Sequence, residues 1–199
     1  MKKEFRTAAI LAGGKSNRFG MNKALAPWKN GKLVIEAVIS SVKKVSDKTF
    51  IVSNHPEAYL NMGLDIIPDE FPGKGPMAGI HAALKHAEGS RVFIIACDMP
   101  LAKSEFIDWM WDIKTSASAL VPVHGKGFEP LHAIYHKSLI PVLENHLIRG
   151  ALSLRMLFKK IPCHIIKKKE WLSHTNGLIH FANINTQDEL NKLIKGSNI

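Results

Sequence analysis

Residues Arg91 to Cys97 read Arg-Val-Phe-Ile-Ile-Ala-Cys, an apolar run that shows no polar alternation after its first residue and halts at Asp98. Such a strand is stable only with both faces covered, which places it inside a parallel sheet flanked by helices rather than on a half-solvated antiparallel sheet. Arg6 to Ala12 repeats the pattern and halts at Gly13-Gly14. Between the two runs the period alternates. Val34, Ile35, Val38, Val42 and Val45 recur at helical spacing, and Thr49 to Val52 and Leu64 to Pro68 read as short strands. Pro76 then opens a helix with Met77, Ile80, Leu84 and Ala87 along one face. Strands alternating with helices predict a three-layer α/β fold with a mostly parallel sheet.

The second half continues the alternation less regularly. Ser104 is expected to cap a helix through Phe106, Ile107, Met110, Trp111 and Ile113. Ala119 to Val123 and Leu131 to Tyr135 flank Gly125-Lys126-Gly127, a pattern compatible with an antiparallel hairpin. Helices are expected over 141–147 and 151–158. Phe181 to Asn185 reads as a last short strand before Thr186 caps a terminal helix through Leu190 and Leu193. Alternate residues of a strand share a face, so Asn183 and Asn185 would point together as a recognition pair. With 199 residues, 46% of them apolar, and no internal repeat, the chain is expected to form a single domain over 1–199.

Composition removes several classes. Cys97 and Cys163 are the only cysteines, too few for a disulfide framework, and a chain of this size needs no stapling. No apolar run approaches the roughly 20 residues of a membrane helix, and Met1 to Arg6 lacks the apolar segment of a signal peptide. A soluble, cytoplasmic protein is expected. Charge is more informative. Lys and Arg number 27 against 17 Asp and Glu, and the excess is concentrated. No carboxylate lies between Glu4 and Glu36, where Arg6, Lys15, Arg18, Lys23, Lys29 and Lys32 fall. A second acid-free stretch from Asn145 to Lys169 carries Arg149, Arg155, Lys159, Lys160 and Lys167 to Lys169. Two such stretches suggest two anionic groups to hold.

Ligands of open α/β sheets bind at the carboxyl ends of strands, which here carry Gly13-Gly14, Asn54, Asp69 and Asp98. Glycines let backbone N–H groups approach phosphate oxygens, and Lys15, Arg18 and Lys23 surround that loop. Its spacing matches neither the G-x-G-x-x-G fingerprint nor the P-loop, which disfavours hydride transfer and P-loop ATPase chemistry. Asp98, after the best strand, is placed to hold a hard cation such as Mg²⁺, with Asp69 as a second acid and the loop through Gly73, Gly75 and Pro76 as a cover for a nucleotide. His132 and His136 stand four apart, but on an expected strand with no further ligand beyond Glu129, so no transition-metal site is inferred. Cys97 reads as a buried structural thiol, and Trp28, Trp109, Trp111 and Trp171 as packing residues.

Leu11 to Leu25, reading LAGGKSNRFGMNKAL, resembles the N-terminal signature of the molybdenum cofactor guanylyltransferases, relatives of the sugar-nucleotide pyrophosphorylases. Residues 72–80, Cys97-Asp98-Met99-Pro100, residues 129–135 and Asn183-Ile184-Asn185-Thr186 are similar to that family's further blocks in the same order, so the resemblance covers residues 6 to about 195. It implies the Rossmann-like nucleotide-diphosphosugar-transferase fold and transfer of GMP from GTP to the terminal phosphate of molybdopterin. It also implies Leu11, Ala12, Gly13, Gly14, Lys23, Asn54, Asp69, Gly75 and Asp98 at the nucleotide, with Asp98 on Mg²⁺. Lys23, Arg18 and Asp98 would then be catalytic, residues 1–100 would form the donor half, and residues 101–199, with Asn183 and Asn185, the acceptor half. Other cofactor-biosynthesis proteins are expected as transient partners, and no nucleic acid or membrane. Gly13-Gly14, where cytidylyl-transferring relatives tend to have Ala-Gly, leans toward guanine. One residue departs: Asn22 stands where the family commonly has Asp before the signature lysine. A sibling transferase with another donor or acceptor, a nucleic-acid-binding module and a nucleotide-binding regulator without turnover are the rival readings.

Overall fold

The computed structural model describes residues 4–13, 22–125, 127–175 and 177–195. Among these described residues eight strands are formed: β1 (Thr7–Leu11), β2 (Lys48–Val52), β3 (Asp65–Ile67), β4 (Arg91–Ala96), β5 (Ala119–His124), β6 (Gly127–Phe128), β7 (His132–His136) and β8 (Cys163–Ile166). Seven α-helices accompany them: α1 (Val34–Lys43), α2 (Pro76–His86), α3 (Ser104–Asp112), α4 (Ile140–Ile148), α5 (Leu154–Phe158), α6 (Lys168–Trp171) and α7 (Gln187–Ile194). The sheet runs β3-β2-β1-β4-β7-β5, with β6 and β8 both on β5. β1, β2, β3 and β4 are parallel, β7 is antiparallel to both β4 and β5, and β8 is parallel to β5. The expected antiparallel excursion is thus β7, which turns back between β4 and β5, and the fold is a mostly parallel α/β sheet with flanking helices.

Side-chain alternation builds the layers. Ala8, Ile10, Phe93 and Ile95 face one core with α1 and α3, while Ala9, Leu11, Val92 and Ile94 face the other with α2 and α4. α2 departs from the one-faced reading: every residue from Met77 to Leu84 is buried, because α4 covers the side turned away from the sheet. Even His81 is enclosed, its Nε2 lying 3.1 Å from Glu144 Oε1.

Two expectations are corrected. Ser104 is the first residue of α3 rather than its cap; Lys103 holds that position without a side-chain bond. Phe181 to Asn185 is not a strand. Leu178–Phe181 is a single 3-10 turn and residues 182–185 are irregular. The outer edge of β5 is already taken by β8, which lies hidden in the basic stretch before Lys167. The backbone of the 181–185 segment therefore bonds elsewhere: the Ile184 N–H donates to Asp98 O at 3.0 Å and the Asn185 N–H to Glu189 Oε2 at 2.7 Å. Thr186 does cap α7, its hydroxyl accepting from Glu189 N.

Candidate active site

Strand order reverses between β1 and β4, since β2 and β3 continue from one side of β1 and β7 and β5 from the other side of β4. The carboxyl ends at such a reversal open a crevice. Gly13 follows β1 and Asp98 follows β4. Beside them lies a cavity of about 500 Å³, and five of the nucleotide-site residues expected from the sequence line it: Leu11, Gly13, Asn54, Asp69 and Gly75. Gly79, from the 72–80 block, joins them, as do Ser53 and His55, which no sequence motif marked. Gly79 leaves room for Leu11, whose Cδ1 would lie 3.1 Å from an added Cβ. Gly75, at φ 69°, turns the chain so that Pro76 can start α2 with its N-terminal end on the cavity.

Asn54 and Asp69 hold each other. Asn54 Nδ2 donates to Asp69 Oδ2 at 2.8 Å, the Asp69 N–H donates back to Asn54 Oδ1 at 2.9 Å, and the Phe71 N–H donates to Asp69 Oδ1 at 3.0 Å. Each carboxylate oxygen of Asp69 accepts one hydrogen bond, which fixes the side chain as a wall of the cavity. Ala12 lies behind the cavity. Its N–H donates to Val52 O, and its carbonyl accepts from Ser53 Oγ at 3.1 Å and from Tyr59 Oη at 3.3 Å.

That second bond explains the Asn22 departure. The Asn22 carboxamide oxygen accepts from Ala24 N at 3.1 Å, capping the 3-10 turn Lys23–Leu25, while its Nδ2 donates to Tyr59 Oη at 3.0 Å. A carboxylate has no such donor and would take the phenol proton that Tyr59 gives to Ala12. Burial pushes the Tyr59 phenol up to about 12, so it stays protonated and supplies that donor. Tyr59→Phe should lose about 1 kcal/mol of stability and raise the KM for the nucleotide several-fold by freeing the turn that carries Lys23. Unchanged steady-state constants would show that the link has no bearing on the site.

Lys23 Nζ pairs with Asp98 Oδ2 and lies 3.4 Å from Asn185 Oδ1. Asp98 is only 6% exposed, and its other oxygen, Oδ1, has no hydrogen-bond partner among the described residues. A buried carboxylate oxygen left unpaired is unfavourable. It is also the oxygen donor a hard divalent cation needs. Asn183 Oδ1, on the segment tied to Asp98 through Ile184, is likewise buried and unpartnered among the described residues. Among those residues no three His, Cys, Asp or Glu side chains converge. A cation here would accordingly take one carboxylate, amide oxygens, water and substrate phosphate. Next door, Cys97 is inert, its thiol pushed up to about 12 by burial and then by the Asp98 charge. Gly14, Lys15 and Arg18 lie outside the described residues.

Outside the residues that line the cavity, Asp98 has the Glu129 segment, the start of α3 and the 181–185 segment around it. Glu129 leads into β7, whose first residue pairs with Ile95 near the end of β4. Burial raises the Glu129 pKa against a partly compensating bond from His124, whose Nε2 lies 3.0 Å away, and His124 stacks on Phe181 at 5.0 Å. Lys103 lies at the start of α3, and Phe181 to Asn185 closes the group. The basic stretch is divided by β8: Lys159 and Lys160 precede its amino end, and Lys167 to Lys169 follow its carboxyl end, on the sheet edge that holds Asp98. Tyr59, His124 and His180 were missed in the sequence because each acquires its partner through the fold, 5 to 48 residues away.

Comparison with known proteins identifies the family. Residues 8–165 match the model of the MobA-like NTP transferase domain. The chain is 34% identical over 197 residues to a probable molybdenum cofactor guanylyltransferase of Clostridium perfringens, 98% of each chain being covered. It is 35% identical over 189 residues to one of Carboxydothermus hydrogenoformans, covering 95% of each. The crystal structure of molybdopterin-guanine dinucleotide biosynthesis protein A from Archaeoglobus fulgidus superimposes with a TM-score of 0.82 at 29% identity, covering 95% of this chain and 97% of that one. A domain match over most of the chain, with near full-length relatives above 30% identity, settles the kinship: the chain belongs to the MobA-like NTP transferase family.

Proposed function

We propose that the protein is a molybdenum cofactor guanylyltransferase, which joins GMP from GTP to the terminal phosphate of molybdopterin and releases pyrophosphate. The observation that carries the reading is the Lys23–Asp98 pair just past the end of β4, with Asp98 Oδ1 unpartnered among the described residues and the neighbouring Cys97 bonded to Leu11 of the cavity wall, in a chain whose near full-length relatives bear that name. An oxygen of the acceptor phosphate attacks the α-phosphorus of GTP, the bond from that phosphorus to the bridging oxygen breaks, and pyrophosphate departs. The nucleophile is already an anion, since the second pKa of a phosphate monoester lies near 6, so no strong general base is needed. The chain's task is to align the two substrates and balance charge. The cavity walls at Gly13, Asn54 and Asp69 orient the nucleoside, and Lys23 and Arg18 meet the triphosphate. Asp98 Oδ1 would hold Mg²⁺, which would neutralise phosphate charge, and the amide oxygens of Asn183 and Asn185 are candidates to complete its surroundings.

Residues 1–100 then serve the donor and residues 101–199 the acceptor, meeting where Lys23 reaches Asn185. Lys167 to Lys169 and the Asn183–Asn185 segment receive the anionic pterin. The enzyme works in the cytoplasm without nucleic acid or membrane and hands its product to other proteins of cofactor assembly. Among the described residues no helix is long and apolar enough to cross a membrane. Equilibrium binding of GTP, CTP, ATP and UTP with and without Mg²⁺ tests the donor side. Preference for GTP that depends on Mg²⁺ supports the reading; preference for CTP would move the protein to the sibling transferases, and no nucleotide binding would refute it.

A further inference from the structure

His132 and His180 are both buried, at 0% and 1% exposure, and neither has a place in the transfer chemistry. Their hydrogen bonds fix both tautomers. His180 Nδ1 accepts the Lys103 N–H at 3.1 Å, so its proton resides on Nε2. That Nε2–H points at His132 Nε2, 3.2 Å away, which must accept. The His132 proton is therefore on Nδ1, an atom with no hydrogen-bond partner among the described residues. The surroundings of the His132 ring are aromatic: Phe93 edge-on at 4.9 Å, Phe106 stacked at 5.5 Å and Phe181 edge-on at 5.4 Å. Burial and the neighbouring Lys103 charge bring the His180 pKa down to about 3, and burial holds that of His132 well below the ordinary range. Both rings are neutral at neutral pH.

A phenylalanine pair would fill this space without stranding the His132 Nδ1–H but would leave the Lys103 N–H without its acceptor, so packing alone does not account for the histidines. Their placement does. Lys103 lies five residues after Asp98, His132 pairs with Ile95 three residues before it, and His180 lies three residues before Asn183. The chain of bonds from the Lys103 amide through His180 to His132 thus ties both sides of the Asp98 turn to the C-terminal segment. Within that segment the Ile184 N–H reaches Asp98 O and Asn185 Oδ1 reaches Lys23. No strand ladder holds residues 182–185, so this tie substitutes for one.

We propose that His180, held by His132, is a positioning residue that seats Asn183 and Asn185 against Asp98 for the phosphorylated pterin acceptor. The acceptor part of this inference rests on the proposed guanylyltransferase reading; the seating of the segment does not.

The test compares the parent chain with His180→Phe, which keeps a ring and removes both nitrogens, and with His180→Asn, whose Oδ1 can still accept from Lys103. Amide hydrogen exchange is read first. In His180→Phe the Ile184 amide should exchange about tenfold faster, while the Cys97 amide, bonded to Leu11 O in the sheet, should not change. His180→Asn should restore part of the protection. Acceleration of both amides, or of neither, overturns the proposal. Steady-state kinetics with GTP and molybdopterin come second: His180→Phe should raise the KM for molybdopterin about tenfold and leave the KM for GTP unchanged. An equal rise in both, or no rise, contradicts the acceptor role. If the exchange result holds and the parent chain transfers nothing to molybdopterin, the functional reading has failed and the seating role stands.

Discussion

Asp98→Ala is expected to abolish guanylyl transfer, lowering turnover by about 10³-fold, without lowering the thermal midpoint. The two halves of this result have one cause. Asp98 buries a carboxylate with one oxygen on Lys23 and the other unpartnered among the described residues. The unpaired oxygen is unfavourable to the folded state by about 1–3 kcal/mol. Lys23, about a quarter exposed, can turn its ammonium to water once the carboxylate is gone, so the lost ion pair takes little from stability. Removing Asp98 therefore trades a strained, poorly satisfied group for a methyl, and stability should hold or rise. Turnover falls because the oxygen that receives the cation has gone. Measured together, melting and pyrophosphate release separate this account from a structural one. A lowered midpoint with retained transfer would reverse both assignments.

Trp171→Ala should lower stability far more than Tyr59→Phe does, by about 3–5 kcal/mol, or roughly 10 °C in the midpoint for a chain of this size. Trp171 is fully buried on α6, its Nε1 donates to Val123 O at 2.8 Å, and its ring lies edge-on to Phe181 at 5.1 Å. Truncation opens a void under a short helix, orphans the Val123 carbonyl and removes the ring behind Phe181. Since Phe181 adjoins His180 and leads into Asn183, activity should fall in parallel. Trp28 offers the comparison: it is only half-buried, at the rim of a small cluster around Ala26 and Ile184, and Trp28→Ala should lose far less. Chemical denaturation of both variants checks the order, and a smaller loss for Trp171 would contradict the packing described.

The parts of this fold that are readable from the sequence are those where burial leaves a local imprint. β1 and β4 are covered on both faces, so they appear as unbroken apolar runs, and the residues ending them, Gly13 and Asp98, mark the crevice. Asn54 and Asp69 are readable for the same reason, as residues just beyond strand ends. The misreadings occur where partners decide. Phe181 to Asn185 has a strand's alternation but finds no free edge, because Cys163–Ile166 pairs with β5. That short strand is itself masked by flanking lysines. The face pairing expected for Asn183 and Asn185 fails with the strand, and the two reach the site by separate routes: one carboxamide oxygen is buried and unpartnered among the described residues, the other lies near Lys23. α2 looks one-faced in the sequence because its outward side is covered by α4, which comes 54 residues after its last residue. His132 and His180 are 48 residues apart, and no local pattern joins them.

The most direct measurement incubates the protein with GTP, Mg²⁺ and molybdopterin and follows pyrophosphate together with the mass of the pterin product. The account predicts pyrophosphate released only when acceptor is present, in equal amount to a molybdopterin carrying one added GMP, with neither formed by Asp98→Ala. Pyrophosphate without that adduct, a better yield from CTP, or undiminished transfer by Asp98→Ala would contradict it.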